Sequence, residues 1–63
     1  MRKISKFMIE DLESLVKRAE ISQTPLERHE YLKYYKDVKS ALEIMGYDLS
    51  SIKYLEERVR KLK

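Results

Sequence analysis

The chain of 63 residues has no cysteine and no tryptophan, and it has only one glycine, one proline and one histidine. The lack of cysteine excludes disulfides, and a single histidine cannot complete the cysteine and histidine ligand sets of structural zinc sites. One glycine likewise cannot build the glycine-rich loop that cradles a phosphate. We therefore expect neither a metal nor a cofactor.

Long apolar runs are also missing from the sequence. No stretch approaches the roughly 18 residues that a membrane span requires, and the first seven residues lead into mixed polar sequence, unlike a cleavable signal. These features predict a soluble, cytoplasmic protein without membrane contact. The shortage of asparagine, glutamine and cysteine beside abundant lysine and glutamate is typical of thermophiles, a hypothesis that reversible melting below about 60 °C would contradict.

Convergent catalytic groups are equally scarce. His29 has no ligand or carboxylate three or four residues away on a helix, so we interpret it as a surface residue. The acidic group Glu10, Asp11 and Glu13 is typical of a solvated helix face, because paired acid and base chemistry needs a pocket that separates the pKa values. We expect no catalytic residues and no enzyme activity.

Apolar residues recur at helical spacing along most of the chain, which predicts an all-α protein. The first helix is expected over about residues 5 to 22, with Ser5 as a possible N-cap. Its apolar stripe consists of Met8, Leu12, Leu15, Val16 and Ala19.

A second helix is predicted over about residues 25 to 45. Thr24 has N-cap chemistry, Pro25 suits the first helical position, and Glu27 completes a capping box. The broad apolar face of this helix carries Tyr31, Tyr34, Tyr35, Val38, Ala41, Leu42 and Met45.

A third helix is predicted over about residues 49 to 62. Gly46 supplies the left-handed residue that commonly ends a helix, and Asp48 can cap the next one. Apolar side chains then follow at heptad spacing: Ile52, Leu55, Val59 and Leu62. An alternative keeps the second and third helices as one bent rod, since the apolar spacing continues through Gly46.

The short connections favour antiparallel neighbours, either as an up-down-up bundle or as a hairpin whose third segment packs in a dimer. A chain of this length buries only about 60% of its unfolded surface. Without a disulfide or a metal, the remaining source of stability is a partner, and the simplest partner is a second copy. We expect a self-associating antiparallel bundle with a core of Leu12, Leu15, Val38, Leu42, Leu55 and Val59.

Candidate interface residues are the aromatic side chains, because tyrosine is enriched at surfaces that are partly apolar and partly wet. Core packing at the rim of a bundle is the alternative. Phe7 lies on the far side of the first helix from Leu12 and, together with Ile4, is a candidate exposed apolar spot. Fraying of the first helical turn is the alternative. The candidate interface set is Phe7, Tyr31, Tyr34, Tyr35 and Tyr54.

A helix-turn-helix is the second functional possibility. Gly46 lies between two predicted helices, with Ile52 and Leu55 six and nine residues later, and the segment 41 to 55 is similar to helix pairs of several bacterial regulator families. The resemblance covers about a quarter of the chain and departs from the motif at Leu42, where a small residue is usual. It implies DNA contact by the third helix and the basic C-terminal residues, with these candidates: Ser50, Ser51, Lys53, Tyr54, Arg58, Arg60 and Lys61.

The net charge of +3, from 14 basic and 11 acidic residues, is too small to favour nucleic acid by itself. We therefore expect foremost a small self-associating interaction module, an adaptor, regulator or inhibitor that acts by protein contact. A dimeric DNA-binding transcriptional regulator is the alternative.

Overall fold

A computed structural model describes residues 2–62 and shows an all-α protein of three helices. The helices are α1 (Lys6–Ile21), α2 (Pro25–Ile44) and α3 (Lys53–Lys61), and two short strands are added, β1 (Arg2–Lys3) and β2 (Tyr47–Asp48). A 3-10 turn, Ser50–Ile52, leads into α3. No helix within the described residues is both long and apolar enough to cross a bilayer.

The predicted N-caps are confirmed at the N-termini of α1 and α2. The Ser5 hydroxyl accepts a hydrogen bond from the Met8 backbone N–H, and the Thr24 hydroxyl accepts one from the Glu27 backbone N–H, each at 3.2 Å. Side-chain acceptors at these positions satisfy N–H groups that have no partner within the helix. The two caps therefore fix the first residue of each helix in the α1–α2 hairpin.

The second and third helices are separate, so the bent-rod alternative is wrong. Gly46 has φ of +86°, a conformation that other residues rarely adopt. The third helix begins later than predicted, at Lys53, because residues 50–52 form the 3-10 turn. Asp48 does act as an acceptor here, but for the Ser50 backbone N–H at 3.0 Å, and this bond lowers the pKa of Asp48.

The strand pair was not predicted from the sequence. Strands β1 and β2 lie parallel, with Arg2 opposite Tyr47, and the Arg2 guanidinium stacks over the Tyr47 ring at 4.6 Å. This pairing ties the N-terminal segment to the turn between α2 and α3. It also brings Ile4 into the core with 7% of its surface exposed, so the expectation that Ile4 lies in an exposed spot is wrong.

The helices form the up-down-up arrangement. The two arms of the α1–α2 hairpin are antiparallel, and α3 packs back on α1 within the same chain. One core cluster joins the three helices and the 3-10 turn, and its fully or nearly buried members are Ile4, Leu12, Val16, Tyr35, Leu42, Ile52 and Leu55. The predicted core residues Leu15 and Val59 are partly buried against it. Val38 is 40% exposed and therefore lies outside the core of the single chain.

Candidate functional site

One flank of α2 carries an exposed apolar strip. Tyr34, Val38, Ala41 and Met45 follow the spacing i, i+4, i+7 and i+11, which places them on one side of a helix. Met45 is the C-cap residue that directly follows α2 and keeps helix-like backbone angles. Tyr34 is 56% exposed, Val38 40% and Met45 54%, and Ala41 is also exposed. We call these four residues the α2 strip.

The α2 strip faces away from α3. On the α3 side of α2, the Lys39 ammonium lies 2.8 Å from the Glu56 carboxylate. At about 100° per residue, Lys39 is about 130° around the helix from the centre of the strip. The strip therefore lies on a flank of α2 that α3 does not cover within residues 2–62.

The other candidate interface residues lie in different surroundings. Phe7 is 76% exposed on α1, and Tyr31 is half-buried. Tyr35 is 3% exposed and belongs to the core, which is one of the two alternatives that the sequence left open. Tyr54 donates a hydrogen bond from its hydroxyl to the Glu13 carboxylate at 3.3 Å, which ties α3 to α1.

The opposite flank of α2 forms a groove with the end of α3. Helix α2 has 20 residues and α3 has nine, so α3 covers only part of the length of α2. Beyond it lies a groove of about 380 Å³, which we call the α2–α3 groove. Its lining residues are His29, Leu32, Lys33, Tyr35, Lys36, Lys39 and Val59. A smaller cavity of about 190 Å³ continues it along Tyr35, Lys39 and Val59 to Glu56 and Arg60.

Tyr35 lines this groove and carries a buried hydroxyl group. Among residues 2–62, its buried hydroxyl has no hydrogen-bond partner. Burial, with a further contribution from the charge of Glu56, raises the pKa of Tyr35 to about 12. The hydroxyl is therefore neutral at pH 7 and keeps a proton that it can donate. A buried hydroxyl is normally paired, so this group is a candidate ligand contact.

The helix-turn-helix candidates are exposed only in part. Ser50, Ser51 and Lys53 are exposed on the surface, as are Arg60 and Lys61. The Arg60 guanidinium lies 3.5 Å from the Glu57 carboxylate.

Arg58, the central DNA-contact candidate, is held by α1. Its guanidinium donates two hydrogen bonds to the Glu20 carboxylate, one of them from Nε at 2.9 Å. It also lies 4.0 Å from Glu13. These contacts raise the pKa of Arg58, with the hydrogen bonds to Glu20 as the main cause, and they lower the pKa of Glu20. A phosphate would have to displace Glu20 to reach this side chain.

The pairing of Arg58 with Glu20 predicts a pH-dependent contribution to stability. Because the pKa of Glu20 is lowered in the fold, its stabilisation is complete above the ordinary glutamate pKa of about 4.3 and is lost as the pH falls further. Glu20→Gln is expected to lower the free energy of unfolding by up to about 1 kcal/mol at pH 7, the scale of a partly exposed pair. Urea unfolding followed by circular dichroism from pH 7 to pH 3 measures this.

The difference between the native chain and Glu20→Gln should shrink towards zero at the acid end of that series. Glu10→Gln is the matched control, since Glu10 lies on the same helix, is exposed and forms no ion pair among residues 2–62. A difference that persists unchanged at pH 3 would contradict the role of the ionised carboxylate.

No metal-binding group is formed within residues 2–62, where no three histidine, cysteine, aspartate or glutamate side chains converge. His29 is exposed, as interpreted from the sequence, and lies at the rim of the α2–α3 groove. Glu10 and Asp11 are exposed, and Glu13 bonds to Tyr54.

Comparison of the chain with known protein families, curated proteins and solved structures gives no match.

Proposed function

We propose that this protein is a self-associating helical interaction module whose α2 strip packs against the same strip of a second copy. The observation that carries the proposal is the exposure of Tyr34, Val38 and Met45 on the flank of α2 that α3 leaves open. A contiguous patch of exposed apolar residues typically marks an interaction site, whereas single exposed apolar residues are common on any protein surface.

The amount of exposed surface supports a partner. The chain exposes 4938 Å², whereas a compact monomer of 7.6 kDa is expected to expose about 4300 Å². Its dimensions of 37 × 19 × 18 Å give an elongated shape with a long side that a partner can cover. The difference of about 600 Å² approaches the roughly 800 Å² that each partner buries in a stable interface.

The spacing of the strip supports a second copy as the partner. The intervals between its residues are four, three and four, which read the same in both directions. When two such helices pack antiparallel about a two-fold axis, Tyr34 meets Met45 of the second copy and Val38 meets Ala41 of the second copy. The large side chains then pair at the two ends, with sulfur against an aromatic ring, and the small alanine allows close approach at the centre.

The dimer would present its remaining helical surfaces to another macromolecule, as an adaptor, regulator or inhibitor does. The cytoplasmic location and the thermophilic origin stay predictions. DNA binding stays a prediction as well, and its test is salt-dependent retention on duplex DNA that Arg58→Ala and Arg60→Ala weaken.

Sedimentation equilibrium of the purified chain tests the proposal. The native chain is expected to be a dimer at micromolar concentration, and Tyr34→Lys should raise the dissociation constant at least about tenfold, because it places a charge in an apolar contact. Lysine forms helix at least as well as tyrosine, so the helix itself is not weakened.

The matched control for this experiment is Ile44→Lys. Ile44 is 86% exposed and lies on the same helix, about 90° around from the strip. This variant should dimerise like the native chain. A folded native chain that stays monomeric at high concentration would overturn the proposal, as would equal weakening by the two lysine substitutions.

A further inference from the structure

The α2–α3 groove lies on the other side of α2 from the proposed dimer contact, and its rim is strongly basic. Lys33, Lys36 and Lys39 line it, with His29 at one end, and Arg60 lies at the far end of the adjoining cavity. Among the residues that line the two cavities the only carboxylate is Glu56, which lies 2.8 Å from the Lys39 ammonium. The groove therefore carries a net positive field.

The floor of the groove is apolar. Leu32 and Val59 contribute aliphatic side chains from α2 and α3, and Tyr35 lines both cavities. The Tyr35 hydroxyl adds one polar group, which is buried and unpaired among the described residues. Small-molecule sites combine these features, namely an apolar lining with a few polar groups that orient the ligand.

We propose that the α2–α3 groove binds a small organic anion, a carboxylate or phosphate attached to an apolar ring or chain. The anionic group lies between Lys33 and Lys36, where the lining has no carboxylate, and the apolar body lies on Leu32 and Val59. The Tyr35 hydroxyl donates a hydrogen bond to the ligand. The volume of about 380 Å³ is at the small end of the roughly 300 to 1000 Å³ of ligand sites.

Three naphthalene probes test the contribution of the anionic group separately from that of the apolar ring. 1-Naphthoate and 1-naphthyl phosphate carry the two anionic groups on the same ring, and 1-naphthylmethanol is the neutral analogue. Titration of each into isotope-labelled protein, followed by amide chemical shifts in nuclear magnetic resonance, reports both affinity and location. At least one anion should shift the amides of Leu32, Lys36 and Val59 with saturation and bind at least about tenfold more tightly than the alcohol.

Variants test the named contacts. Lys36→Gln should weaken binding of the tighter anion at least about threefold, because it removes a charge-assisted contact. Lys17→Gln, an exposed lysine of α1 outside the groove, should leave the affinity unchanged. Tyr35→Phe should weaken binding while keeping or raising the melting temperature, since it removes an unpaired buried hydroxyl.

Several outcomes would overturn the proposal. These are the absence of saturable binding, equal affinity for the neutral alcohol, equal loss in the Lys17→Gln control, or full affinity in a folded Tyr35→Phe variant. Sedimentation of Lys36→Gln should match the native chain, because Lys36 is not part of the α2 strip. This measurement therefore tests the anion-binding proposal separately from the dimer proposal.

Discussion

Leu42→Asp is expected to unfold the protein. Leu42 is 7% exposed in the core cluster that joins the helices. An isolated buried carboxylate costs several kcal/mol even when it becomes protonated, whereas a chain of this length has a total stability of about 3–9 kcal/mol. The far-ultraviolet circular dichroism of the variant should show loss of helix at 25 °C and no cooperative thermal transition.

Ile44→Asp is the matched control for this prediction. It makes the same chemical change two residues further along α2, at a side chain that is 86% exposed. The control should keep a cooperative transition, with a modest loss because an acid near a helix C-terminus opposes the helix dipole. A helical, cooperatively melting Leu42→Asp variant would contradict the position of Leu42 in the core.

Leu12→Ala is expected to lower the free energy of unfolding by about 3 to 5 kcal/mol. Leu12 has no exposed surface, lies in the middle of α1 and belongs to the core cluster that includes residues of α2 and α3. Truncation removes the transfer energy of the buried side chain and leaves a cavity that a small core cannot easily close. Urea unfolding at one fixed protein concentration measures the loss.

Phe7→Ala provides the comparison for Leu12→Ala. Phe7 lies on the same helix, and 76% of its surface is exposed, so the change should alter stability by about 0.5 kcal/mol or less. A loss at Phe7 that equals the loss at Leu12 would mean that Phe7 is covered by another chain, which is the role that the sequence suggested for it.

Local sequence signals predicted the helices well because their causes are local. The hydroxyls of Ser5 and Thr24 bond to backbone N–H groups three residues later, and Gly46 adopts the positive φ that ends α2. The apolar period of α1 likewise identified Leu12, Val16 and Ala19, all of which are buried. Each of these features is decided within a few residues of chain.

The apolar period of α2 was less informative, because its apolar residues span more than one side of the helix. Tyr35 and Leu42 are buried, whereas Tyr34 is 56% exposed and Val38 is 40% exposed. Which part of the face became core depended on where α1 and α3 pack. The exposed part of this face is the α2 strip. The sequence placed its residues on the apolar face of α2 but could not predict that they stay uncovered.

The α2–α3 groove was missed, although part of its signal is visible in the sequence. His29, Leu32, Lys36 and Lys39 have the spacing of one helix face, yet this mixture of basic and apolar residues resembles an ordinary solvated surface. The groove exists because α3 ends before it covers that face. A difference in helix length matters only once the helices are packed side by side.

The sequence by itself determined the all-α class, the N-caps and the lack of disulfide or zinc ligand sets, because these follow from residue chemistry and short-range hydrogen bonds. It favoured separate second and third helices over one bent rod, and the structure decided between the two. Only the tertiary structure decided the pairing of Arg2 with Tyr47, the burial of Ile4 and the contact of Arg58 with Glu20. These contacts join residues far apart along the chain. Their formation depends on how the helices pack, which no short window of sequence encodes.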